Sequence, residues 1–540
     1  MTRENKRLLS GNEAIAYAAL AAGVHLGTGY PGTPSTEILE TFGAIGGKAQ
    51  WAPNEKVALE VAIGVAYGNG RALVTMKHVG LNVAADPLFS VAYTGVSGAL
   101  VLAVADDPGM ASSQNEQDTR RYAVAAGVPV LEPSDSQEAY DLFFRAVDLS
   151  ERFGTPIILR LTTRVSHSKG IVKLNDVVPV ARAPHFERNT QGRVLIPAYA
   201  RPAHRRLRHR LSQIAEWNET SELNPIWEGG DDLGIIASGV AALHAREAVP
   251  GSRLLKLGMS YPFPVRRVRE FVASVKRCVV IEEGDPVIQE LCLSHRLPVE
   301  GKPDEERFGE LNVSRVRRMI NGDHAPRTAP PPGRPPQLCP GCPHRTVFEA
   351  LHDLDCIVAG DIGCYTLGVL PPFEAMDSCT CMGASIGVGL GLRHVLPLDE
   401  ARRVVSVIGD STFVHSGLTG IVEMMYNPPP TGHVVLILDN RTTAMTGLQD
   451  HPATGRTLKG EPTHQLSLED VCRAIGVDDV TVFESQPGQK DHFRELLRAK
   501  LAQEKPCVLI VRRECLLAAR RRKQASQTVE QEGVTCQPSE

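Results

Sequence analysis

No cysteine occurs before Cys278 in this 540-residue chain, although 12 are present and ten of them lie from Cys339 onward. A disulfide scaffold does not suit a chain this large without a secretion signal, so the crowding predicts local metal or redox work in the C-terminal part. Charge of one sign is also lacking. Lys and Arg number 58 against 62 Asp and Glu, a formal net charge of −4, and no basic field argues for nucleic acid. Long apolar runs are missing as well. "GALVLAVA" (Gly98 to Ala105) suits a buried strand and is too short for a bilayer. The N-terminus has no continuous apolar stretch or cleavage site, so no signal peptide, no membrane and a cytoplasmic protein are expected. What is present is ordinary for a globular protein, with 42% hydrophobic and 22% charged residues, and the length predicts two to four domains.

To about residue 180, helical and strand patterns alternate. "GNEAIAYAALAAG" reads as a helix and "VHLGTGY" as a strand that enters the turn "PGTPS". "STEILETFG" restarts a helix with Ser35 or Thr36 as N-cap, and "GRALVTM", "ALVLAVA" and "TPIILRL" are further buried strands. This predicts an α/β domain with a mainly parallel sheet. The basic "ARPAHRRLRHRL" (Ala200 to Leu211), within a connecting segment 181–230, reads as an anion patch or as a solvated helix face. Residues 231–325 repeat the α/β pattern on a smaller scale. The proline-dense 326–336 is a linker, and a third α/β domain follows over 337–515. The polar tail 516–540, with Cys536, is expected to be disordered.

In the third domain "RRVVSVIGDS" is a strand ending at Gly409–Asp410, "GLTGIVEMMYN" a helix, and "HVVLILDN" a strand ending at Asp439–Asn440. Ligands of open parallel sheets bind past the carboxyl ends of strands, so Asp410 and Asn440 share one edge. Oxygen donors of this kind suit Mg²⁺ with phosphate oxygens, and Gly409 allows close backbone approach. A lone Gly-Asp is common in turns, but the paired arrangement resembles the thiamine diphosphate motif, with Ser411 where Gly is usual. Such a cofactor needs a carboxylate at its aminopyrimidine. "WAPNEKVALEVAIGVAYGNG" offers Glu55 and Glu60 at a helix start, where acids also complement the helix dipole.

With those residues in hand, the chain resembles the thiamine-dependent 2-oxoacid:ferredoxin oxidoreductases, and within them the alpha subunits of the indolepyruvate branch, to about residue 515. The resemblance rests on "GYPGTPSTEILE", "NEKVALEVAIG", "MKHVGLNVAADPL", "DDPGMASSQNEQDTRRYA", "LGMSYPFP", "LCPGCPHR", "GDIGCYTLG", "CMGASIGVG", "GDSTFVHSG" and "LDNRTTAMTG". It implies a multidomain thiamine diphosphate-binding fold: a pyrimidine-binding domain over 1–180, a transketolase C-terminal-like domain over 231–325, and a diphosphate-binding domain over 337–515. The active site would then lie between the first and third domains, across a dimer interface. Glu55 would meet the aminopyrimidine, and Thr33 the substrate carboxylate. Arg120 or its neighbour Arg121 would contact the same carboxylate, unless they salt-bridge nearby acids. Asp410, Asn440 and the Thr442 carbonyl would hold Mg²⁺, with Gly363, Gly409 and Ser411 beside the cofactor. His78 and Asn82 would border the site.

"QLCPGCPHRTVF" holds Cys339 and Cys342, a pair that alone fits zinc, a redox disulfide or an iron–sulfur cluster. The resemblance adds Cys364 and Cys515 and implies a [4Fe–4S] site, with Cys379 and Cys381 as rival ligands. Cys356, Cys472 and Cys507 sit in apolar contexts that suit ligation less. The implied activity is oxidative decarboxylation of a 2-oxoacid, an aryl pyruvate such as indolepyruvate, with coenzyme A as co-substrate. Implied partners are a smaller beta (gamma-type) subunit in a dimer of heterodimers, and ferredoxin or another separate carrier, since the family's ferredoxin-like domain is lacking after Cys515. A non-oxidative decarboxylase, which needs no cluster, and a non-catalytic electron-transfer or assembly subunit are the alternatives.

Overall fold

The computed structural model describes residues 5–175, 183–323 and 336–533. It divides into two compact units, Met1–Thr328 and Ala329–Glu540. Most of the expected linker 326–336, the expected boundary at 180 and Cys536 lie outside the described residues.

The apolar run Ala99–Asp106 is buried at every position, as a strand covered on both faces must be. It is a central strand of a seven-stranded sheet in the first unit. From one edge the order is Ala49–Trp51, Leu26–Gly29, Arg71–Lys77, Ala99–Asp106, Ile157–Thr162, Val130–Leu131 and Met259–Tyr261. Every pairing is parallel except the last. Helix Gly11–Ala21 begins at a capping box, in which Ser10 and Glu13 satisfy each other's backbone N–H groups. The helix after the "PGTPS" turn runs over Thr36–Ala44.

A second, smaller sheet in the same unit places Cys278–Ile281, Gly230–Ser238, Ser252–Leu257 and Ile226–Trp227 side by side. The basic stretch lies in helix Pro197–Asn218. Leu207 and Leu211, one turn apart, are buried against the first unit's core, and Arg205, Arg206 and Arg208 are exposed. The geometry is that of a solvated helix face.

The second unit is built on a six-stranded, wholly parallel sheet in the order Ser378–Cys379, Ile357–Gly360, Val404–Gly409, Val434–Asp439, Cys507–Arg512 and Asp479–Glu484. Its two faces carry separate apolar clusters, one around Phe348, Val407 and Leu509, the other around Ile386, Phe413 and Ile510. Counted by sequence within each sheet, the first six strands take the order 2-1-3-4-6-5 in both units, and Met259–Tyr261 adds a seventh strand at one edge of the first. In each, the order reverses between the first and third strands, the switch point where open α/β sheets bind ligands.

The tail departs from expectation. Leu516–Gly533 is a helix, not a disordered segment. Leu516 packs close to Gly341, whose backbone has a φ of +75°. No helix among the described residues is long and apolar enough to cross a membrane.

Candidate active site

At the second unit's switch point, strands Ile357–Gly360 and Val404–Gly409 end beside each other and Val434–Asp439 ends next to the latter. Asp410 is buried, with Oδ1 accepting from Ser411 N at 2.8 Å and Oδ2 from Arg441 N at 2.7 Å and His451 Nε2 at 3.2 Å. Burial alone would raise its pKa, but His451 and the two N–H donors outweigh it and hold the carboxyl below its usual range. Asn440 Oδ1 accepts from Thr442 N at 3.1 Å. Its amide nitrogen lies 3.4 Å from His344 Nε2. Burial pulls His344 down to about 4, so its imidazole is neutral at pH 7 and accepts from the amide. Thr442 is buried, and its hydroxyl donates to the Gln449 carbonyl at 3.2 Å. Ser411 Oγ meets Thr443 Oγ1 at 2.8 Å. A Cβ on Gly409 would meet the Tyr365 ring at 2.6 Å and one on Gly363 would meet it at 2.4 Å, so both glycines let the loops close around that ring.

Two of the cysteines are placed at this edge: Cys364 follows strand Ile357–Gly360, and Cys515 is bonded to Asn440. Cys342 N donates to Cys339 O at 3.0 Å, closing the turn of the C-x-x-C pair just before helix His344–Asp353. Cys515 N donates to Asn440 O at 3.0 Å, and Arg513 N to Asp439 O at 3.0 Å, so the last strand's exit is strapped to the Asp439–Asn440 edge. Cys342 is pushed up to about 11, by burial first, with the His344 N–H opposing, then by the charges of Cys339 and Cys515. Cys364 is pushed up to about 11 by burial and then by Cys342, Cys515 and Cys339. The charges of Cys339, Cys342 and Cys515 thus all bear on Cys364. Among the described residues no group of three or more His, Cys, Asp or Glu side chains is arranged to hold a metal ion. Cys379 and Cys381 are exposed, and the charges that act on them are those of Asp361 and, for Cys379, Cys381. Cys472 and Cys507 are buried in the apolar clusters and Cys356 is packed against one.

In the first unit, the two candidate acids separate cleanly. Glu60 is exposed and pairs with Lys56 one helical turn away. Glu55 is buried at the start of helix Glu55–Tyr67, behind the N-cap Asn54. Its carboxyl lies against Gly80, where a Cβ would meet Glu55 Oε1 at 2.6 Å. Thr33 is half-buried in the loop after Leu26–Gly29, and its carbonyl accepts from Ser112 Oγ at 3.3 Å. His78 is buried, with Nε2 3.0 Å from Asn115 O and no hydrogen-bond partner for Nδ1 among the described residues. Asn82 is exposed.

Arg120 is placed elsewhere than the substrate contact expected for it. It is 1% exposed, and its guanidinium donates to Asp118 Oδ1 at 2.9 Å and Oδ2 at 2.6 Å, to Glu282 at 2.6 Å, and to the carbonyls of Glu283 and Asp285. Arg160 adds Asp106 and Glu132, each at 2.6 Å. The N-cap acid Asp118 and the stretch Glu282–Asp285 after strand Cys278–Ile281 saturate the fork, which makes Arg120 an internal strut. Arg121 is half-exposed and pairs with Asp285 and Glu290. The sequence did not mark His344 or His451 as the partners of Asn440 and Asp410. Lys77 ends the third strand at the first switch point, a signal readable once strand order is known. His451 lies in an irregular loop with no periodic signal.

Residues 17–211 match the family described as "Pyruvate flavodoxin/ferredoxin oxidoreductase, thiamine diP-bdg", and residues 361–511 match "Thiamine pyrophosphate enzyme, C-terminal TPP binding domain". The chain is 40% identical over 563 residues to the indolepyruvate oxidoreductase subunit IorA of Archaeoglobus fulgidus, covering 96% of this chain and 88% of that one. It is 38% identical over 564 residues to the IorA subunit of Pyrococcus horikoshii, covering 95% and 86%. Among solved structures, a 2-oxoglutarate:ferredoxin oxidoreductase from Magnetococcus marinus aligns with a TM-score of 0.50 at 14% identity, over 60% of this chain and 66% of that one, a likeness of fold.

Proposed function

The chain belongs to the family of indolepyruvate oxidoreductase IorA subunits, thiamine diphosphate-binding oxidoreductases of 2-oxoacids, and from that premise we propose its particular reaction. An aryl pyruvate such as indolepyruvate is oxidatively decarboxylated to CO₂ and an acyl-CoA, and the electrons pass through a [4Fe–4S] cluster to a ferredoxin-type carrier. A smaller beta subunit completes the assembly.

The observation that carries this reading is the strap from Cys515 N to Asn440 O, 3.0 Å long, which ties that cysteine to the oxygen-donor edge. Asp410, Asn440 and the Thr442 carbonyl are hard oxygen donors fit for Mg²⁺ beside a diphosphate. His344 and His451 fix the side chains of Asn440 and Asp410 from behind. Bound thiamine diphosphate supplies a nucleophilic carbon for the 2-oxo group and an electron sink for loss of CO₂. Glu55, buried and held against Gly80, would be the carboxylate that holds a proton at the aminopyrimidine. Cys339, Cys342, Cys364 and Cys515 would be the four thiolates of a cubane, which would supply a one-electron acceptor.

The test is an anaerobic screen of 2-oxoacids with coenzyme A and a dye acceptor, with the beta subunit added. We expect acyl-CoA from aryl pyruvates and about four irons per chain. Cys515→Ala should lose the iron while keeping thiamine diphosphate binding. An iron-free preparation that releases aldehyde would overturn the oxidative reading.

A further inference from the structure

With Arg120 spent inside the ion network, the site needs another cation for a substrate carboxylate, and the first unit supplies one. Lys77 ends strand Arg71–Lys77, beside strand Leu26–Gly29 and the Thr33 loop that leaves it. These are the two strands that flank the switch point. Its alkyl chain runs under Gly32, where a Cβ would meet Lys77 Cδ at 3.0 Å. Its ammonium donates to Ser112 O at 3.0 Å, and Ser112 Oγ in turn donates to the Thr33 carbonyl at 3.3 Å. Lys77 and Thr33 are thus joined through one residue.

We propose that Lys77 is the residue that binds the carboxylate of the 2-oxoacid, acting with the Thr33 loop. This rests on the 2-oxoacid reading of the site given above. Three features support it beyond position. First, helix Thr36–Ala44 opens just after Thr33, and a helix start favours an anion. Second, the charges of Asp107 and Glu55 act on the Lys77 ammonium, so it shares a field with the carboxylate proposed for the cofactor. Third, Asp107 is already engaged. Oδ2 accepts from Ser112 N at 2.8 Å and Ser113 Oγ at 2.7 Å, and Oδ1 from Thr163 Oγ1 at 3.0 Å. A carboxylate held this way anchors the loop and tolerates sharing its cation with a second anion. Burial draws the Lys77 ammonium below its usual range, and the two acids oppose that shift and favour the charged form. A bound 2-oxoacid carboxylate would favour it further.

Lys77→Met and Lys77→Arg would be compared with wild type in the reconstituted complex. Indolepyruvate would be the probe and its methyl ester the neutral control. Expected for Lys77→Met is a KM for indolepyruvate raised about 10- to 100-fold, calorimetric binding of the acid lost, and binding of the ester and of thiamine diphosphate within about twofold of wild type. Lys77→Arg should recover part of the KM, because it restores the charge. A purely structural lysine would weaken acid and ester alike, and that result overturns the proposal. So does an unchanged KM in Lys77→Met while wild type turns over. If wild type neither binds nor decarboxylates any 2-oxoacid, the functional reading fails first and this inference falls with it.

Discussion

Gly80 shows how one absent side chain can set a buried carboxylate. A Cβ there would stand 2.6 Å from Glu55 Oε1, 2.7 Å from Cγ and 2.9 Å from Cδ, so the carboxyl would have to move. Gly80→Ala should therefore lower kcat by roughly 10²-fold, the effect of displacing a catalytic group by about 1 Å. Its melting temperature should stay near wild type, because helix His78–Val83 gains a better helix former. Steady-state kinetics beside a thermal melt would check this, and an active, stable Gly80→Ala would remove the need for Glu55 in its present place. At this scale the sequence was partly legible. Glu55, Asp410 and Asn440 announce themselves by standing at a helix start and at two strand ends. Glu60 could be set aside only once its exposure was known. Arg120 misled for a physical reason: an Arg in a loop-to-helix sequence looks the same whether its partners are a ligand or acids 162 residues away.

Among elements, the edge where strand Cys278–Ile281 meets the first α/β layer concentrates buried charge. Asp106, Asp118, Glu132, Glu282 and Glu283 face Arg120, Arg160 and Lys302 there. Acids outnumber bases, and the least compensated is Glu283. Oε1 accepts from Leu311 N at 2.9 Å, and Oε2 has no hydrogen-bond partner among the described residues. Burial pushes it up to about 7, with Lys302, the Leu311 N–H and Arg160 opposing and Glu310 reinforcing. A carboxyl raised in the folded state contributes stability that is present below its unfolded pKa and is lost as pH rises through about 7. Glu283→Gln should then match wild type near pH 5 and exceed it by about 1–3 kcal/mol near pH 8. Paired melts at the two pH values would decide it, and a pH-independent loss would sink the idea. None of this was readable beforehand, because the cluster joins residues from 106 to 302 and only the tertiary fold brings them together. The tail helix Leu516–Gly533 was missed for a related reason. Polar composition says only that the segment buries little, whereas Leu516 finds contact beside Gly341.

For the whole molecule, the α/β class and the parallel sheets followed from apolar runs alone, since strands buried on both faces show no alternation. Strand order did not follow, because pairing is chosen by long-range packing. That the two units share the order 2-1-3-4-6-5 emerges only from the structure. Each unit has its own apolar clusters and its own switch point. Residues 1–328 and 329–540, expressed separately, should each give a soluble protein with a cooperative melt, and only the second should carry iron. If either piece is unfolded alone, the units are interdependent rather than self-sufficient.

The strap from Cys515 to Asn440 also orders events in time. A ribosome delivers Cys339, Cys342 and Cys364 early in the second unit and Cys515 only after the last strand of its sheet. Strand Cys507–Arg512 inserts between two strands made before it, so the sheet stays open until it arrives. Folding that proceeds with synthesis from the N-terminus can finish the first unit while the second still awaits its closing strand. Cys515 follows that closing strand, so it is the last of Cys339, Cys342, Cys364 and Cys515 to reach its place, after the sheet that positions the other three is complete.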